Sequence, residues 1–147
     1  MSVLVQKVIE ADYSFVIHTD NPMTSNPEEL YAEVVVGMGE ALVGAYPGRS
    51  LGIAINKTTK ETQILSIPNK GIALRGTGFM FRSDSNSEDL VGFAGAGLFD
   101  SYPTKPMVEV PAAYASENIA RNMDFISEIA IKLLEVGQEV VNLYERA

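Results

Sequence analysis

The sequence predicts an α+β fold, a mostly antiparallel sheet built by the early strands with a long C-terminal helix covering one face. Three observations carry that expectation. Short β-branched runs recur from the N-terminus to about residue 110, separated by Pro, Gly and Asn punctuation. From Ile119 to Tyr144 the apolar residues recur instead at three- and four-residue steps. Hydrophobic residues make up 46% of a 147-residue chain, enough for a core. The length lies within the roughly 100–200 residues of one domain, so a single domain over 1–147 is expected.

Val3, Val5 and Val8 lie in a β-branched run ending at Ile9, which reads as a strand. The Tyr13–Thr19 run, only a few residues on, is read as its hairpin partner, and Asn21-Pro22 stops it because proline cannot donate to a ladder. Leu30–Val36 is apolar and reads as a buried strand, with helix as the alternative. Glu40–Val43 is expected to be a short helical turn closed by Gly44 and Pro47-Gly48. Leu51–Asn56 and Thr62–Ile67 alternate as two strands joined by the polar Lys57–Glu61 turn. Phe79–Phe81 is a short strand running into a polar loop, Arg82–Asp89, followed by the glycine-rich Gly92–Gly97. Met107–Val110 is a further short strand.

The last helix places Ile119, Met123, Ile126, Ala130, Leu133, Val136, Val140 and Tyr144 on one face. Ser116 is the expected N-cap, with Glu117 favourable in the first turn. Gly137 costs about 1 kcal/mol inside a helix, so a bend or split is expected there.

Composition excludes several functions. Eleven Lys and Arg against nineteen Asp and Glu give a net charge of −8, which repels phosphate backbones and argues against nucleic acid as a partner. With no cysteine, disulfides, thiolate zinc sites and cysteine nucleophiles are ruled out. His18 is the one histidine; set mid-strand between Ile17 and Thr19, it reads as structural. No apolar run approaches the length of a membrane span, so no membrane is expected as a partner. Met1–Glu10 lacks the layout of a signal peptide, so no targeting segment is expected.

The glycine stretches fail as nucleotide motifs on spacing. Gly44 to Gly48 spans three residues where a P-loop needs four, and Arg49 stands where its lysine would be. A dinucleotide fingerprint from Gly37-Met38-Gly39 meets Leu42 where glycine or alanine is required. A calcium loop from Asp84 meets Asp89 and Gly95 where glycine and a carboxylate are required. Arg82–Gly97 stays open between two readings. Successive backbone N–H groups with a guanidinium can grip a phosphate, and the same stretch can be an ordered turn whose acidic residues cap helices.

Longer motifs point further. VLVQKVIEADYSFVIHTDNP resembles the segment that passes the adenine pocket in the ATP-grasp domain of the pyruvate phosphate dikinase and phosphoenolpyruvate synthase superfamily. ELYAEVVVGMGEALVGAYPGRSL resembles the Gly-Leu-Gly-Glu segment that follows, with Met38 replacing the leucine. FMFRSDSNSEDLVGFAGAGLFDS, together with GAYPGR, resembles the C-terminal region of the alpha-glucan, water dikinases, the starch-phosphorylating enzymes. The resemblance runs from Val3 to about Tyr144.

That resemblance implies part of an ATP-grasp domain, with ATP and Mg²⁺ as cofactors of the full-length enzyme. It also implies a reaction in which ATP phosphorylates an enzyme histidine. The β-phosphate then passes to a glucan glucose unit and the γ-phosphate to water. Gln6, Lys7 and Val8 match the adenine-edge hinge, Glu40 the glutamate offered to ribose hydroxyls, and Arg82 the phosphate-binding arginine. Related dikinases place a similar Arg-Ser motif before the hinge, whereas Arg82 follows it. The family's metal-binding carboxylates and its Gln-x-Arg-Pro strand are expected beyond Ala147, and its phosphocarrier histidine in another domain. No metal ligand and no complete catalytic set is therefore expected within the chain. It reads as a dikinase fragment, inactive alone, that meets glucan through other domains of a cytoplasmic or plastid parent. The alternatives are a fragment of a pyruvate or small-molecule dikinase, or a non-catalytic module that binds nucleotide or protein.

Overall fold

The computed structural model describes residues 2–44, 46–84, 89–90, 93–94, 101–112, 119 and 121–145. Its strands are β1 (Ser2–Lys7), β2 (Tyr13–His18), β3 (Glu29–Val36), β4 (Leu51–Asn56), β5 (Thr62–Ser66), β6 (Ile72–Arg75), β7 (Phe79–Asp84), β8 (Asp89–Leu90), β9 (Phe93–Ala94), β10 (Tyr102–Pro103) and β11 (Val108–Pro111). The helices are α1 (Glu40–Val43) and α2 (Met123–Glu145). Among the described residues the strands pair antiparallel in the orders β2-β3-β4-β5, β1-β7-β10, β6-β11 and β8-β9. The α+β class and the mostly antiparallel sheet are as the sequence predicts.

The four-stranded sheet carries the main core. β3 and β4 are central and nearly all apolar, which is why both read as strands from sequence alone. Leu30, Ala32 and Val34 of β3 and Leu51, Ile53 and Ile55 of β4 share one buried face with Ile119, Ile126, Ala130, Leu133 and Leu134. Burying each such large aliphatic side chain contributes about 1.5–3 kcal/mol. Tyr13 of β2 adds a tilted ring contact with Phe125, centroids 5.0 Å apart.

The structure corrects four expectations. First, β1 and β2 are not a hairpin. β1 pairs with β7 from Ser2↔Asp84 to Lys7↔Phe79, while β2 pairs with β3. The connecting residues leave one sheet and enter the other, with the Val8 N–H donating to the Gly78 carbonyl and the Gly37 N–H to the Asp12 carbonyl. Second, β7 runs to Asp84, three residues past the expected end, because Ser2–Leu4 supply a ladder partner there. Arg82 is thus a strand residue.

Third, α2 runs unbroken through Gly137. Gly137 is buried against β3, and a Cβ added to it would meet Leu30 Cδ1 at 2.7 Å. The glycine lets the helix approach the sheet closely, and that packing offsets its poor helix propensity. Fourth, the helix starts at Met123, and the buried stripe is Ile126, Ala130, Leu133, Leu134 and Gly137. Met123, Val136 and Val140 are exposed. Asn122 caps it, its Oδ1 accepting from the Phe125 N–H at 3.0 Å. The expected cap, Ser116, lies outside the described residues.

A second, smaller core gathers Val35, Met38, Ala41 and Leu74, with Val8, Leu42, Tyr46 and Met107 packed against it. Gly37 makes its corner. At φ +81° it adopts a conformation costly for other residues, and a Cβ there would come within 2.5 Å of the Leu74 carbonyl oxygen. The Met38 N–H closes the corner by donating to that same carbonyl at 2.9 Å.

Candidate nucleotide-facing site

The pairing of β1 with β7 decides which expected site residues meet. Leu4 lies opposite Arg82 and Gln6 opposite Met80. Directly opposed residues of an antiparallel pair project from the same face. Leu4, Gln6, Met80 and Arg82 therefore share one face, and Val3, Val5, Lys7, Phe79 and Phe81 the other. Val8 packs into the smaller core beside Ala41 and Leu42, which brings α1 to the Arg82 side. There Arg82 Nη2 lies 3.5 Å from Glu40 Oε1.

Gln6, Glu40 and Arg82 are thus gathered on one side of the β1–β7 ladder. Lys7 sits on the opposite face, across from Phe79. The Val8 N–H is taken up by the Gly78 carbonyl at 2.8 Å. Arg82 is about half exposed. A guanidinium carries five N–H donors in a planar fork. Among the described residues its recorded contact is the single 3.5 Å approach to Glu40, and such a fork has the geometry to bind a phosphate. Most of the Ser/Gly-rich stretch after Arg82, where the anion nest is expected, lies outside the described residues.

The GAYPGR motif turns out to be tied down. Asn69 Oδ1 accepts from the Arg49 N–H at 2.6 Å, and the Asn69 N–H donates to the Arg49 carbonyl at 3.0 Å. Lys70 Nζ, on a buried residue, donates to the Tyr46 carbonyl at 2.6 Å. Here the Arg49 amide serves the loop itself, in keeping with the failed P-loop spacing.

A polar cluster that the sequence reading missed lies on the face of β3 away from α2. The Tyr31 hydroxyl donates to Glu33 Oε1 at 2.9 Å, and the Ser50 hydroxyl donates to Glu33 Oε2 at 2.8 Å. The Ser66 hydroxyl donates to the Ser50 carbonyl at 2.8 Å. Burial, then the hydrogen bond to Glu33 and its charge, push the Tyr31 phenol up to about 12. The i, i+2 spacing of Tyr31 and Glu33 was the available signal, since it places both on one strand face. His18 joins them through a ring contact with Tyr31 at 5.9 Å.

A cleft of about 790 Å³ opens between α2 and the ends of β2 and β4, lined by Leu30, Lys57, Lys60, Leu134 and Gly137 among others. None of the five expected site residues lines it. Among the described residues no three His, Asp or Glu side chains converge as a metal site. No helix there is long and apolar enough to cross a membrane.

Comparison with known proteins extends the motif resemblance to the whole chain. The chain is 46% identical over 150 residues to the chloroplastic alpha-glucan water dikinase of Citrus reticulata, covering 100% of this chain and 10% of that protein. It is 45% identical to the chloroplastic alpha-glucan water dikinase 1 of Arabidopsis thaliana, covering 100% and 11%. Against the chloroplastic alpha-glucan water dikinase of Solanum tuberosum it is 47% identical, covering 98% and 10%. No family model matches, and no solved structure matches. The sequence belongs with the alpha-glucan water dikinases and spans about a tenth of the length of these relatives.

Proposed function

We propose that this segment of alpha-glucan water dikinase sequence forms part of the ATP-grasp nucleotide site of such an enzyme, in a single domain over residues 1–147. The parent reaction is ATP + glucan + water → AMP + phosphoglucan + phosphate. In it an enzyme histidine takes the β-phosphate and hands it to a glucose hydroxyl, while water takes the γ-phosphate. The observation that carries this reading is 45–47% identity along essentially the full chain to three alpha-glucan water dikinases. Their names place those relatives in chloroplasts, which supports a plastid parent for this chain.

In this reading the backbone of Gln6, Lys7 and Val8 lies along the adenine edge. Glu40 is at the ribose–phosphate side, and Arg82 grips a phosphate. Arg82 is the group with the right chemistry for the last task, being half exposed and forked, with a single contact, to Glu40, among the described residues. Mg²⁺ would neutralise the triphosphate in the parent enzyme. The described residues do not fit a metal centre. Glucan meets other domains of the parent, so this chain contributes nucleotide contacts and not the acceptor site.

Two experiments test the proposal. Incubated alone with ATP, Mg²⁺ and soluble starch, the chain should form no AMP above a heat-treated control, because it holds no phosphocarrier histidine motif. Sustained AMP formation would overturn the reading. In a full-length dikinase carrying this segment, Arg82→Ala should lower phosphate incorporation from β-labelled ATP and leave co-sedimentation with starch granules unchanged. Unchanged incorporation would return Arg82 to a structural role.

A further inference from the structure

Glu40 stands at the entry of α1, and the resemblance offers it to ribose hydroxyls. The structure shows its carboxylate turned to Arg82 instead, Oε1 to Nη2 at 3.5 Å. We propose that Glu40 is a positioning residue: it aims the Arg82 guanidinium at the nucleotide phosphates and makes no essential contact with the ribose. The inference rests on the nucleotide-site reading above and assigns Glu40 a different task within it.

Little else among the described residues holds Arg82. Its neighbour across the ladder, Leu4, is apolar and half exposed. Glu40 is the charged partner recorded for it among the described residues. An arginine side chain held only at its Cα keeps most of its rotamer freedom, and ordering it on ligand binding costs conformational entropy. A carboxylate that restrains it beforehand removes part of that cost. Glu40 is suited to this because it is the more fixed of the two. It is 23% exposed against 47% for Arg82, and its backbone carbonyl is anchored by the Gly44 N–H at 2.8 Å.

The approach is also of the right strength. A tight bidentate pair would occupy the fork that a phosphate needs. A single 3.5 Å contact guides one nitrogen and leaves the others free. The two roles for Glu40 predict opposite signs in one measurement. If Glu40 merely sits near the phosphates, removing its negative charge should tighten the binding of an anion. If it positions Arg82, removal should weaken that binding despite the favourable change in charge.

The test titrates the ¹⁵N-labelled 147-residue chain by NMR with ATP, with inorganic tripolyphosphate and with adenosine, a method that reads millimolar affinities. Glu40→Ala should weaken ATP and tripolyphosphate about two- to five-fold, the scale of an exposed ion pair, and leave adenosine unchanged. Glu40→Gln keeps the reach and an acceptor oxygen and should recover part of the loss. In an Arg82→Ala background, Glu40→Ala should no longer weaken ATP and should tighten it slightly. Equal weakening of ATP and adenosine by Glu40→Ala would make Glu40 a ribose contact and overturn the inference. Tightened or unchanged ATP binding in the Arg82 background that retains arginine would overturn it too. If Arg82→Ala leaves ATP binding intact, or if the unaltered chain shows no ATP shifts, the nucleotide-site reading itself fails. Amide spectra of each variant without ligand separate these outcomes from misfolding.

Discussion

Tyr31 makes the residue scale concrete. The residue is 7% exposed, and its hydroxyl donates to Glu33, whose second oxygen is held by Ser50. Burial disfavours the phenolate first of all, and the hydrogen bond to Glu33 and its charge add to this, so the phenol is pushed up from 10.0 to about 12. The folded state then keeps this proton at a pH where the unfolded chain has released it. The resulting stability is present in full below pH 10 and is lost as pH rises from 10 through 12. Tyr31→Phe removes the hydrogen bond and should cost about 0.5–1.5 kcal/mol at pH 7. It also removes the titrating group, so the gap between the two proteins in urea denaturation should narrow steadily above pH 10. A gap that stays constant to pH 12 would show that Tyr31 titrates like a solvated tyrosine.

At the scale of elements, α2 shows what a sequence discloses and what it hides. The three- and four-residue spacing of Ile126, Ala130 and Leu133 was enough to read the helix, but only part of its buried face, since Met123, Val136 and Val140 of the expected stripe are exposed and Leu134 is buried. Its start was not legible, because Ile119 is buried in the same core from a turn that precedes the helix. Asn122 is the working cap, and Asn122→Ala should cost about 1 kcal/mol in thermal or urea unfolding. Gly137 read as a weak point because propensity is a local property, whereas its role is a contact with Leu30 on a strand far away in sequence. Gly137→Ala should therefore reverse the usual sign. It gains about 1 kcal/mol of propensity but forces overpacking that costs about 1–3 kcal/mol. A net destabilisation of about 1 kcal/mol is expected. A stabilised variant would show that Leu30 can move aside freely.

Strand pairing obeyed the same division. β3, β4 and β5 were legible because each carries its own apolar pattern and is joined to its neighbour in sequence. β6 was missed: it is four residues long and takes its partner, β11, from a distant part of the chain. The supposed β1–β2 hairpin failed because alternation marks strands but does not choose their partners. That choice shaped the candidate site. Gln6 and Arg82 were legible through motif resemblance, but their shared face follows from β1 lying against β7.

At the scale of the molecule, the β1-β7-β10 sheet leaves one face uncovered. Val3, Val5, Phe79 and Phe81 project from it, between 39% and 57% exposed. Among the described residues β1 is also the edge of its sheet, and an edge strand has backbone groups open to another strand. An apolar strip beside a free edge favours contact between copies of the chain. The net charge of −8 opposes it, and that repulsion is screened over about 10 Å at 0.1 M salt. Self-association in sedimentation velocity should therefore rise between about 20 mM and about 500 mM NaCl, as screening removes the repulsion and leaves the apolar attraction. Val5→Lys places a charge on the strip and should suppress the rise. Ile131→Lys, at an exposed position on α2, adds the same charge elsewhere, so it controls for net charge alone. Either variant brings the net charge of −8 closer to zero, so an equal rise in association with both would mean that overall repulsion governs it. Suppression by Val5→Lys alone would locate the contact on the β1 face.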